Sequence, residues 1–499
     1  MDRKAAKSLL VKLLALKEQV ERDGEKLYKK WEKDITRASF HHSAKNLAHY
    51  MALRKNDLRE LQWELIPLGL SSLGRLESRV MPTIDSVVRA CALMAQEEPP
   101  GEYQPEDRFK IGEATLDENS ELTLGPEPEN RYTRIMVTMP TEAAWQPGIA
   151  FDLVDRGMSV ARINCSHDDE TVWQAMIDNI RSASAQLGKP CRVSMEIPGP
   201  KVRIDRMMTT QRRARVKQGD FIFLTAHERM SLPEGIPIAI SCTVPEFLEQ
   251  IEAGEPVIID DGHIETAVLE RRDGGVVLRV TKVYKELGVR IAPEKGINFP
   301  GSDYKIPLLS KRDERILDFV CQHADLIGCS FVRDADDIRL LQSEINKRLA
   351  VPDSKPILIK IETLDSMRIL PTILVTAADH VPTAIMIARG DLAVEVGYAR
   401  LSEYQEEILW ICEAAHVPVI WATQVVETLV KTGIPTRAEI SDVTLAAKSE
   451  CIMLNKGAHI NEAVAFVDDI LAKFENHVYK KTAILRKLSI ASELFKEGR

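Results

Sequence analysis

The sequence predicts an α/β protein built on a TIM-type (β/α)8 barrel, with a small β domain inserted into the barrel and an all-α region before it. Three observations support this. From residue 131 onwards, short apolar segments typical of buried parallel strands alternate with helical segments. Eight such strands can be counted, and a turn-rich stretch of alternating strands separates the third from the fourth. The first 96 residues show apolar positions at helical spacing instead.

The N-terminal region, residues 1–96, is predicted to be entirely helical. Leu9, Leu13 and Leu16 are the first of several apolar residues that recur at helical spacing, which indicates a long amphipathic helix. Further helices are expected up to residue 96, and we expect this region to pack against a partner rather than to react.

Residues 97–131 are predicted to be a linker. The segment opens with Glu97, Glu98, Pro99 and Pro100 and contains further prolines among acids, a composition that does not form a core. We therefore expect a domain boundary here.

The predicted barrel strands are Arg134–Met139, Ser159–Cys165, Arg192–Ile197, Ala324–Phe331, Pro356–Glu362, Thr383–Ala388, Pro418–Thr423 and Cys451–Asn455. They divide the barrel into a first part, residues 132–204, and a second part, residues 294–478. The inserted β lid domain, residues 205–293, lies between them. An amphipathic helix over residues 479–499 is expected to end the chain.

Composition restricts the classes of partner. The net charge of −9 gives no basic field for nucleic acid. No apolar run approaches the roughly 20 residues of a membrane span, and the N-terminus lacks an apolar signal core. The eight cysteines are scattered singly, without CxxC or metal-ligand spacing. We therefore expect a cytoplasmic protein with reduced cysteines that binds neither nucleic acid nor membrane.

Two neighbouring strands end in charged residues. Lys360 and Glu362 lie two apart on one predicted strand and so share a face, where burial is costly unless they serve each other or a ligand. The next strand ends at Arg389-Gly390-Asp391, and α/β barrels keep their chemistry at such strand ends. Two carboxylates and a lysine there predict a hard divalent cation beside a phosphoryl group. The alternative is a Lys360–Glu362 ion pair that stabilises only itself.

Motifs in a fixed order extend over the barrel and the insertion, residues 130–478. They are Ala161–His167, Gly199–Arg203, Val257–Gly262, Lys295–Gly301, Lys360–Glu362, Ala388–Asp391, Ala422–Gln424 and Pro435–Glu439. Each is weak alone, but together and in this order they resemble the pyruvate kinase family. The resemblance implies a phosphotransferase (kinase) that converts phosphoenolpyruvate and ADP to pyruvate and ATP.

The resemblance also implies roles for residues at the strand ends. Glu362 and Asp391 would hold Mg²⁺ or Mn²⁺, and Lys360 would offset the charge of the transferring phosphoryl group. The backbone N–H groups of Gly390 and Asp391, with Thr423, would hold the carboxylate of phosphoenolpyruvate. Lys360 and Thr423 would be catalytic.

Further residues of the same motifs would bind the phosphate and the nucleotide. Arg162 would clasp the phosphate of the substrate and join the catalytic set. The residues implied to contact the nucleotide are Asn164, His167, Arg203 and Lys295. The inserted domain would close as a lid and exclude water, which would otherwise compete with ADP.

One departure from the family concerns a monovalent cation. Asn164, Ser166 and Glu196 would form a K⁺ site, with Glu196 in place of the usual Asp. Lys201 stands where members that depend on K⁺ have an acid, and its ammonium could supply the charge of K⁺. We therefore expect activity without added K⁺. The alternative is a surface lysine directed to solvent.

A second departure follows the eighth strand, where Asn455-Lys-Gly-Ala-His459 replaces the Ser-Gly-Glu-Thr stretch of the family. In the family that stretch contributes to protonation of the enolate, and Asn455 or His459 are the candidates to replace it. The C-terminal domain of the family is absent, so sugar-phosphate allostery is not expected, and homo-oligomers would form through the N-terminal helices.

Two alternatives to the kinase stay open. One is a non-catalytic or weakly catalytic homologue with a binding or regulatory role. The other is a different enolpyruvate or oxo-acid enzyme on the same barrel.

Overall fold

The computed structural model describes residues 3–483 except 102, 228, 273, 301–305, 476, 480 and 481. The N-terminal helices are α1 (Arg3–Trp31), α2 (His41–Arg54), α3 (Arg59–Leu65), α4 (Val80–Ala95) and α5 (Asp107–Leu124), with 3₁₀ turns at Ala38–Phe40, Ile66–Leu68 and Glu77–Arg79. Helix α1 buries the side chains of Leu9, Leu13 and Leu16, as their spacing predicts. The helical character of this region is confirmed.

Helix α5 lies inside the segment 97–131 that the sequence indicates as a linker, and for these residues that interpretation is wrong. The helix has few apolar positions, and the acidic residues and prolines on either side of it give the whole segment the composition of a linker. It is stabilised by contact with the barrel rather than by a core of its own. Its last residue, Leu124, is fully buried in the cluster inside the barrel that includes Met136, Leu326 and Leu358. Helix α5 therefore closes one end of the barrel.

The barrel begins with β1 (Arg134–Thr138), β2 (Val160–Asn164) and β3 (Arg192–Ile197), connected by α6 (Pro147–Asp155) and α7 (Glu170–Leu187). The insertion follows with β4 (Ile204–Thr209), β5 (Arg215–Val216), β6 (Phe221–Thr225), β7 (Ile238–Cys242), β8 (Pro256–Ile259), β9 (Ile264–Arg272), β10 (Gly275–Val283), β11 (Val289–Arg290) and β12 (Ile297–Asn298). Its main sheet has the order β12-β8-β9-β10-β6-β7-β4 and covers a hydrophobic cluster separate from that of the barrel. The inserted unit is thus a β domain with its own core.

The barrel resumes with β13 (Leu326–Cys329), β14 (Ile357–Ile361), β15 (Thr383–Ala388), β16 (Val419–Ala422) and β17 (Cys451–Leu454). The helices of this part are α8 (Lys311–His323), α9 (Ala335–Asn346), α10 (Leu364–Arg368), α11 (Leu370–Ala378), α12 (Arg389–Val396), α13 (Tyr398–Ala414), α14 (Glu427–Thr432), α15 (Arg437–Ala446) and α16 (Ile460–Glu475). The strand order β1-β17-β16-β15-β14-β13-β3-β2 closes the barrel, and every observed barrel strand lies within its predicted range. The predicted barrel is confirmed.

The predicted C-terminal helix over 479–499 falls mostly outside the described residues. Where the chain is described, β18 (Val478–Tyr479) pairs with β19 (Thr482–Ala483) instead, which suits the β preference of valine, tyrosine and threonine. All eight cysteines are buried thiols. In the described part of the chain, no helix has the length and apolarity that a membrane crossing requires.

Candidate active site

A cavity of about 740 Å³ opens at the carboxyl ends of the barrel strands, below the insertion. Its lining brings together most of the site residues that the sequence predicts. These are Arg162, Asn164, Lys201, Arg203, Lys295, Lys360, Glu362, Gly390, Asp391 and Thr423, together with Asn455. The parallel strands therefore assemble into one site residues that are almost three hundred positions apart in sequence.

A chain of alternating charges crosses the floor of this cavity. The guanidinium of Arg162 contacts the carboxylate of Glu196 through Nη2 and donates from Nη1 to Thr138 Oγ1 at 2.9 Å. The ammonium of Lys360 lies 3.5 Å from Glu196 Oε1 and 2.9 Å from Glu362 Oε1. Both glutamates are almost inaccessible to solvent, with side-chain exposures of 2% for Glu196 and 1% for Glu362. Buried charges need such partners, and here each has one.

Gly328 leaves room for this series of contacting charges. Glu196 projects from β3 and must reach Lys360 on β14 across the intervening strand β13. Gly328 is the residue of β13 paired with Glu196, and a Cβ atom at this position would lie 3.0 Å from Glu196 Cγ. A side chain here would push Glu196 aside by a few tenths of an ångström.

The pKa values of the three buried groups follow from this arrangement. Burial alone would lower the pKa of Lys360, but Glu196 and Glu362 raise it above its usual value. Burial would raise the pKa of Glu196, but Arg162 and Lys360 lower it. Burial raises the pKa of Glu362. Lys360 lowers this pKa, and the negative charge of Asp391 raises it further.

Lys201 pairs with Asp391, a contact that sequence reasoning missed. Its Nζ lies 2.8 Å and 3.0 Å from the two carboxylate oxygens of Asp391. Burial would raise the pKa of Asp391, but the ammonium groups of Lys201 and Lys360 lower it. Lys201 has a side-chain exposure of 18% and lies over the ring of Phe331, so the alternative of a lysine directed to solvent is wrong.

Two of the three residues predicted to bind K⁺ are hydrogen-bonded to each other, and the third contacts two cations. Glu196 contacts Arg162 and Lys360, while Asn164 Oδ1 accepts the backbone N–H of Ser166 at 3.1 Å. The ammonium of Lys201 lies at Asp391 rather than among them. Thus the lysine enters the cavity as predicted, but it contacts a different carboxylate.

Gly390, Asp391 and Thr423 lie at the ends of β15 and β16. Gly390 is in the first turn of α12, and a Cβ atom on it would lie 2.9 Å from Thr423 Cγ2, so only glycine allows this approach. Thr423 has a φ of +72°. The ends of β15 and β16 form a corner of the cavity, which Arg389 fixes by donating to the carbonyl oxygens of Ala422 and Thr423 at 2.9 and 2.6 Å.

Asp442 is a residue of this corner that sequence reasoning missed. Its two carboxylate oxygens accept from Arg389 Nη1 and Nη2 at 2.6 and 2.8 Å, in a bidentate pair that orients the guanidinium. The pair joins α15 to the start of α12. Arg389 stands in a recognised motif, but nothing in the spacing identifies Asp442 as its partner.

The residues predicted to contact a nucleotide occupy two places. Arg203 donates to the carbonyl oxygen of Glu294 at 3.0 Å, and Lys295 pairs with Asp260 at 2.7 Å, both on the insertion side of the cavity. His167 instead lines an adjoining cavity of about 200 Å³. Asn164 lines both cavities.

The two candidates to replace the protonation path lie apart. Asn455 lines both cavities. The ring of His459 packs against Gly433, where a Cβ atom would lie 3.1–3.3 Å from the ring atoms, and His459 lines neither cavity. Of the two, only Asn455 faces the site.

The donor set fits a hard divalent cation. Glu362 and Asp391 line the same cavity, and their mutual repulsion, which raises the pKa of Glu362, would be relieved by a cation between them. Among the described residues, no group of three or more His, Cys, Asp or Glu side chains is arranged to hold a metal. Oxygen atoms from substrate and water would therefore complete the coordination.

Glu395 on α12 is a titratable residue near the site that the sequence did not reveal. Burial raises its pKa to about 7, and the nearby charges of Asp391 and Asp365 act in the same direction. The backbone N–H of Leu364 and the amide of Asn298 oppose the shift. Below pH about 7 the folded protein thus favours the protonated form of Glu395.

Comparisons with known proteins show the family to which the chain belongs. The family model "Pyruvate kinase, barrel domain" matches residues 130–463. Pyruvate kinase 2 of Trypanosoma brucei brucei is 30% identical over 374 residues, which cover 72% of this chain and 71% of that protein. The pyruvate kinase of Dictyostelium discoideum is 31% identical over 371 residues, covering 72% and 69%. A crystal structure of a pyruvate kinase from Cryptosporidium parvum superimposes with a TM-score of 0.63 at 29% identity, covering 72% of this chain and 73% of that one.

The raised pKa of Glu395 predicts a pH-dependent contribution to stability. The pKa of Glu395 is near 4.5 in the unfolded chain and about 7 in the folded protein. The stabilisation by proton uptake is therefore present below pH ~4.5 and is lost as the pH rises to about 7. Glu395→Gln removes this titration. As the pH rises from about 4.5 to about 7, the free energy of unfolding of the wild type should therefore fall by up to about 3 kcal/mol relative to that of the variant.

Urea denaturation at a series of pH values measures this difference. Glu395→Asp keeps a carboxylate and serves as the matched control, which should retain most of the wild-type slope. Parallel curves for wild type and Glu395→Gln would contradict the assignment.

Proposed function

Because the chain belongs to the pyruvate kinase family, we propose that it transfers a phosphoryl group between phosphoenolpyruvate and ADP to give pyruvate and ATP, with Mg²⁺ or Mn²⁺. The observation that supports this most is the shared cavity of Arg162, Lys360, Glu362 and Asp391. It offers cations for a phosphate and carboxylates for a divalent ion in one place. The finer roles that follow are proposals on the same footing.

Phosphoryl transfer requires that developing negative charge be met by fixed positive charge. Lys360 is held by Glu196, Glu362 and Ser330 Oγ, the last at 3.0 Å, so its ammonium is already positioned, and a phosphoryl oxygen would replace one of these contacts. The Nε–H group of Arg162 is buried and has no hydrogen-bond partner among the described residues, so it could donate to the phosphate. Glu362 and Asp391 would hold the divalent cation, which when bound would neutralise phosphoryl charge and orient the reactants.

The substrate carboxylate would bind at the corner built by Arg389. Backbone N–H groups at the start of α12, those of Gly390 and Asp391, are favourable donors for an anion. Thr423 lines the same cavity, and its hydroxyl would complete this site. The carboxylate and the phosphoryl group of phosphoenolpyruvate would thereby be fixed on opposite sides of its enol oxygen.

The nucleotide would bind on the side of the insertion, through Arg203 and Lys295. Lys295 pairs with Asp260, so a phosphate would have to compete with that carboxylate. Since both residues stand where the chain leaves and re-enters the barrel, their engagement would bring the inserted domain over the cavity. Closure would exclude water, to which the phosphoryl group would otherwise be lost.

Lys201 supports independence from K⁺. Its ammonium brings a fixed positive charge to Asp391. Within the group of contacting side chains, Arg162, Lys201 and Lys360 then balance Glu196, Glu362 and Asp391 without a monovalent ion.

A binding or regulatory role with little turnover is the second candidate. The observation in its favour is the segment after β17, where His459 is directed away from both cavities and Asn455 has no proton to give as an acid. The pyruvate enolate must be protonated for turnover to finish. A different enolpyruvate or oxo-acid enzyme on this barrel is the third reading and has no separate observation in its favour.

Assembly through the N-terminal helices stays a prediction. Helices α1 and α3 leave the apolar side chains of Val11 and Trp63 exposed by 64% and 73%. A homo-oligomer would cover such residues.

A coupled assay for pyruvate tests the proposal. With phosphoenolpyruvate, ADP and Mg²⁺, the wild-type protein should form pyruvate, and Lys360→Met should lower kcat by at least about 10²-fold because it removes a fixed charge at the phosphoryl group. Lys355→Met, at the amino end of β14, is the matched control and should keep the wild-type rate. Binding of phosphoenolpyruvate without pyruvate formation would instead favour the second candidate.

The same assay in buffer free of Na⁺ and K⁺ tests the role of Lys201. Wild-type kcat/KM should be essentially unchanged when K⁺ is added, since the charge at Asp391 is already present. Lys201→Met should lose activity in this buffer, whereas Lys285→Met, an exposed charge of the inserted domain, should not. Strict dependence of the wild type on K⁺ would refute the substitution.

A further inference from the structure

Glu196 makes contacts that a cation ligand would not need. Its carboxylate is 2% exposed and lies between two cations that the proposed function assigns to the substrate phosphate. Oε2 contacts the guanidinium of Arg162 on β2, while Oε1 lies 3.5 Å from the ammonium of Lys360 on β14. One side chain on β3 therefore contacts functional groups from strands on both of its sides.

We propose that Glu196 is a positioning residue that sets the separation between the guanidinium of Arg162 and the ammonium of Lys360, and so the place of the phosphoryl group. The inference rests on the proposed function, and it assigns to Glu196 a role in phosphate recognition rather than in binding a monovalent ion. Glu196 does not touch substrate. It acts through the two cations.

The length of the side chain is the first argument. Neighbouring strands are about 4.8 Å apart, so Lys360 lies two strand spacings away from Glu196, with β13 between them. Aspartate, which is one methylene shorter, would have to give up Arg162 or Lys360. Gly328 provides the passage, since any Cβ atom there would lie 3.0 Å from Glu196 Cγ.

The second argument is that Glu196 is the contact which Arg162 and Lys360 share. Arg162 has a further partner in Thr138, and Lys360 has further partners in Ser330 and Glu362. These partners limit each cation separately, whereas Glu196 alone among the described residues contacts both cations. An error of about 1 Å in such a separation can cost about 10²-fold in rate.

The experiment compares Glu196→Asp with Glu196→Gln in the full chain. Glu196→Asp keeps the charge but loses the reach, so kcat should fall about tenfold to a hundredfold and KM for phosphoenolpyruvate should rise, with KM for ADP unchanged. Glu196→Gln keeps the reach and one acceptor oxygen, and should lie between Glu196→Asp and wild type in kcat. A merely structural glutamate would change thermal stability and leave both constants of the folded enzyme unaltered, which would overturn the inference.

Ser194→Ala is the matched control. Ser194 is fully buried on β3 opposite Arg162 of β2, and its hydroxyl has no hydrogen-bond partner among the described residues, so its removal alters neither a charge nor a hydrogen bond. This variant should keep the wild-type constants. If both variants of Glu196 fail to fold, Gly328→Ala serves instead, because it displaces the carboxylate without altering any charge and should lower kcat and phosphoenolpyruvate affinity together. Wild-type constants in folded Gly328→Ala would overturn the inference.

Calorimetric titration with phosphoenolpyruvate alone separates this inference from the proposed function. If the wild type binds phosphoenolpyruvate but forms no pyruvate, the proposed catalysis fails, and weaker binding by Glu196→Asp still supports the positioning role. If pyruvate is formed and Glu196→Asp binds and turns over like wild type, only the positioning role fails. A wild type that binds no phosphoenolpyruvate would overturn both.

Discussion

The need to pair buried charge at the open end of the barrel governs the candidate site. Removing a carboxylate or an ammonium from water is expensive, and a buried charge persists only with an opposite charge or hydrogen bonds close by. Here Arg162, Glu196, Lys360 and Glu362 form an alternating chain, and Lys201 and Asp391 form a second pair beside it. In such an arrangement each charge has a partner, and under the proposed function a phosphate would take over contacts of the cations and a divalent ion those of the carboxylates.

The two ends of the barrel have different tasks. At the carboxyl end the register places Asn164 and Gly328 on either side of Glu196, and the glycine leaves room for the crossing carboxylate. At the other end, α5 inserts Leu124 among apolar residues of the barrel interior. The helical region therefore completes the scaffold that holds the charges in place. The insertion contributes Lys201 and Lys295 at the points where it joins the barrel, which couples its position to the acids of the site.

The sequence predicts the parts of this site that depend on local periodicity. The two-residue repeat of a strand places Lys360 beside Glu362, and their atoms do meet at 2.9 Å. Contacts between distant segments are a different matter, because spacing does not reveal which rotamer or partner a side chain adopts. The sequence does not reveal that Lys201 pairs with Asp391 or that Asp442 pairs with Arg389, and the acidic residues on either side of α5 make that helix resemble a linker. The resemblance in motifs identified which residues assemble, whereas only the structure shows how they pair.

The central claim is that Glu362 and Asp391 hold one divalent cation beside Lys360. Crystals soaked with Mn²⁺ and oxalate, a planar dianion that resembles the enolate of pyruvate, test it most directly by anomalous scattering. The account predicts one strong manganese peak within coordination distance of a carboxylate oxygen from each of the two residues, with oxalate completing the oxygen ligands. A manganese ion bound elsewhere, or no peak between these two carboxylates, would contradict it.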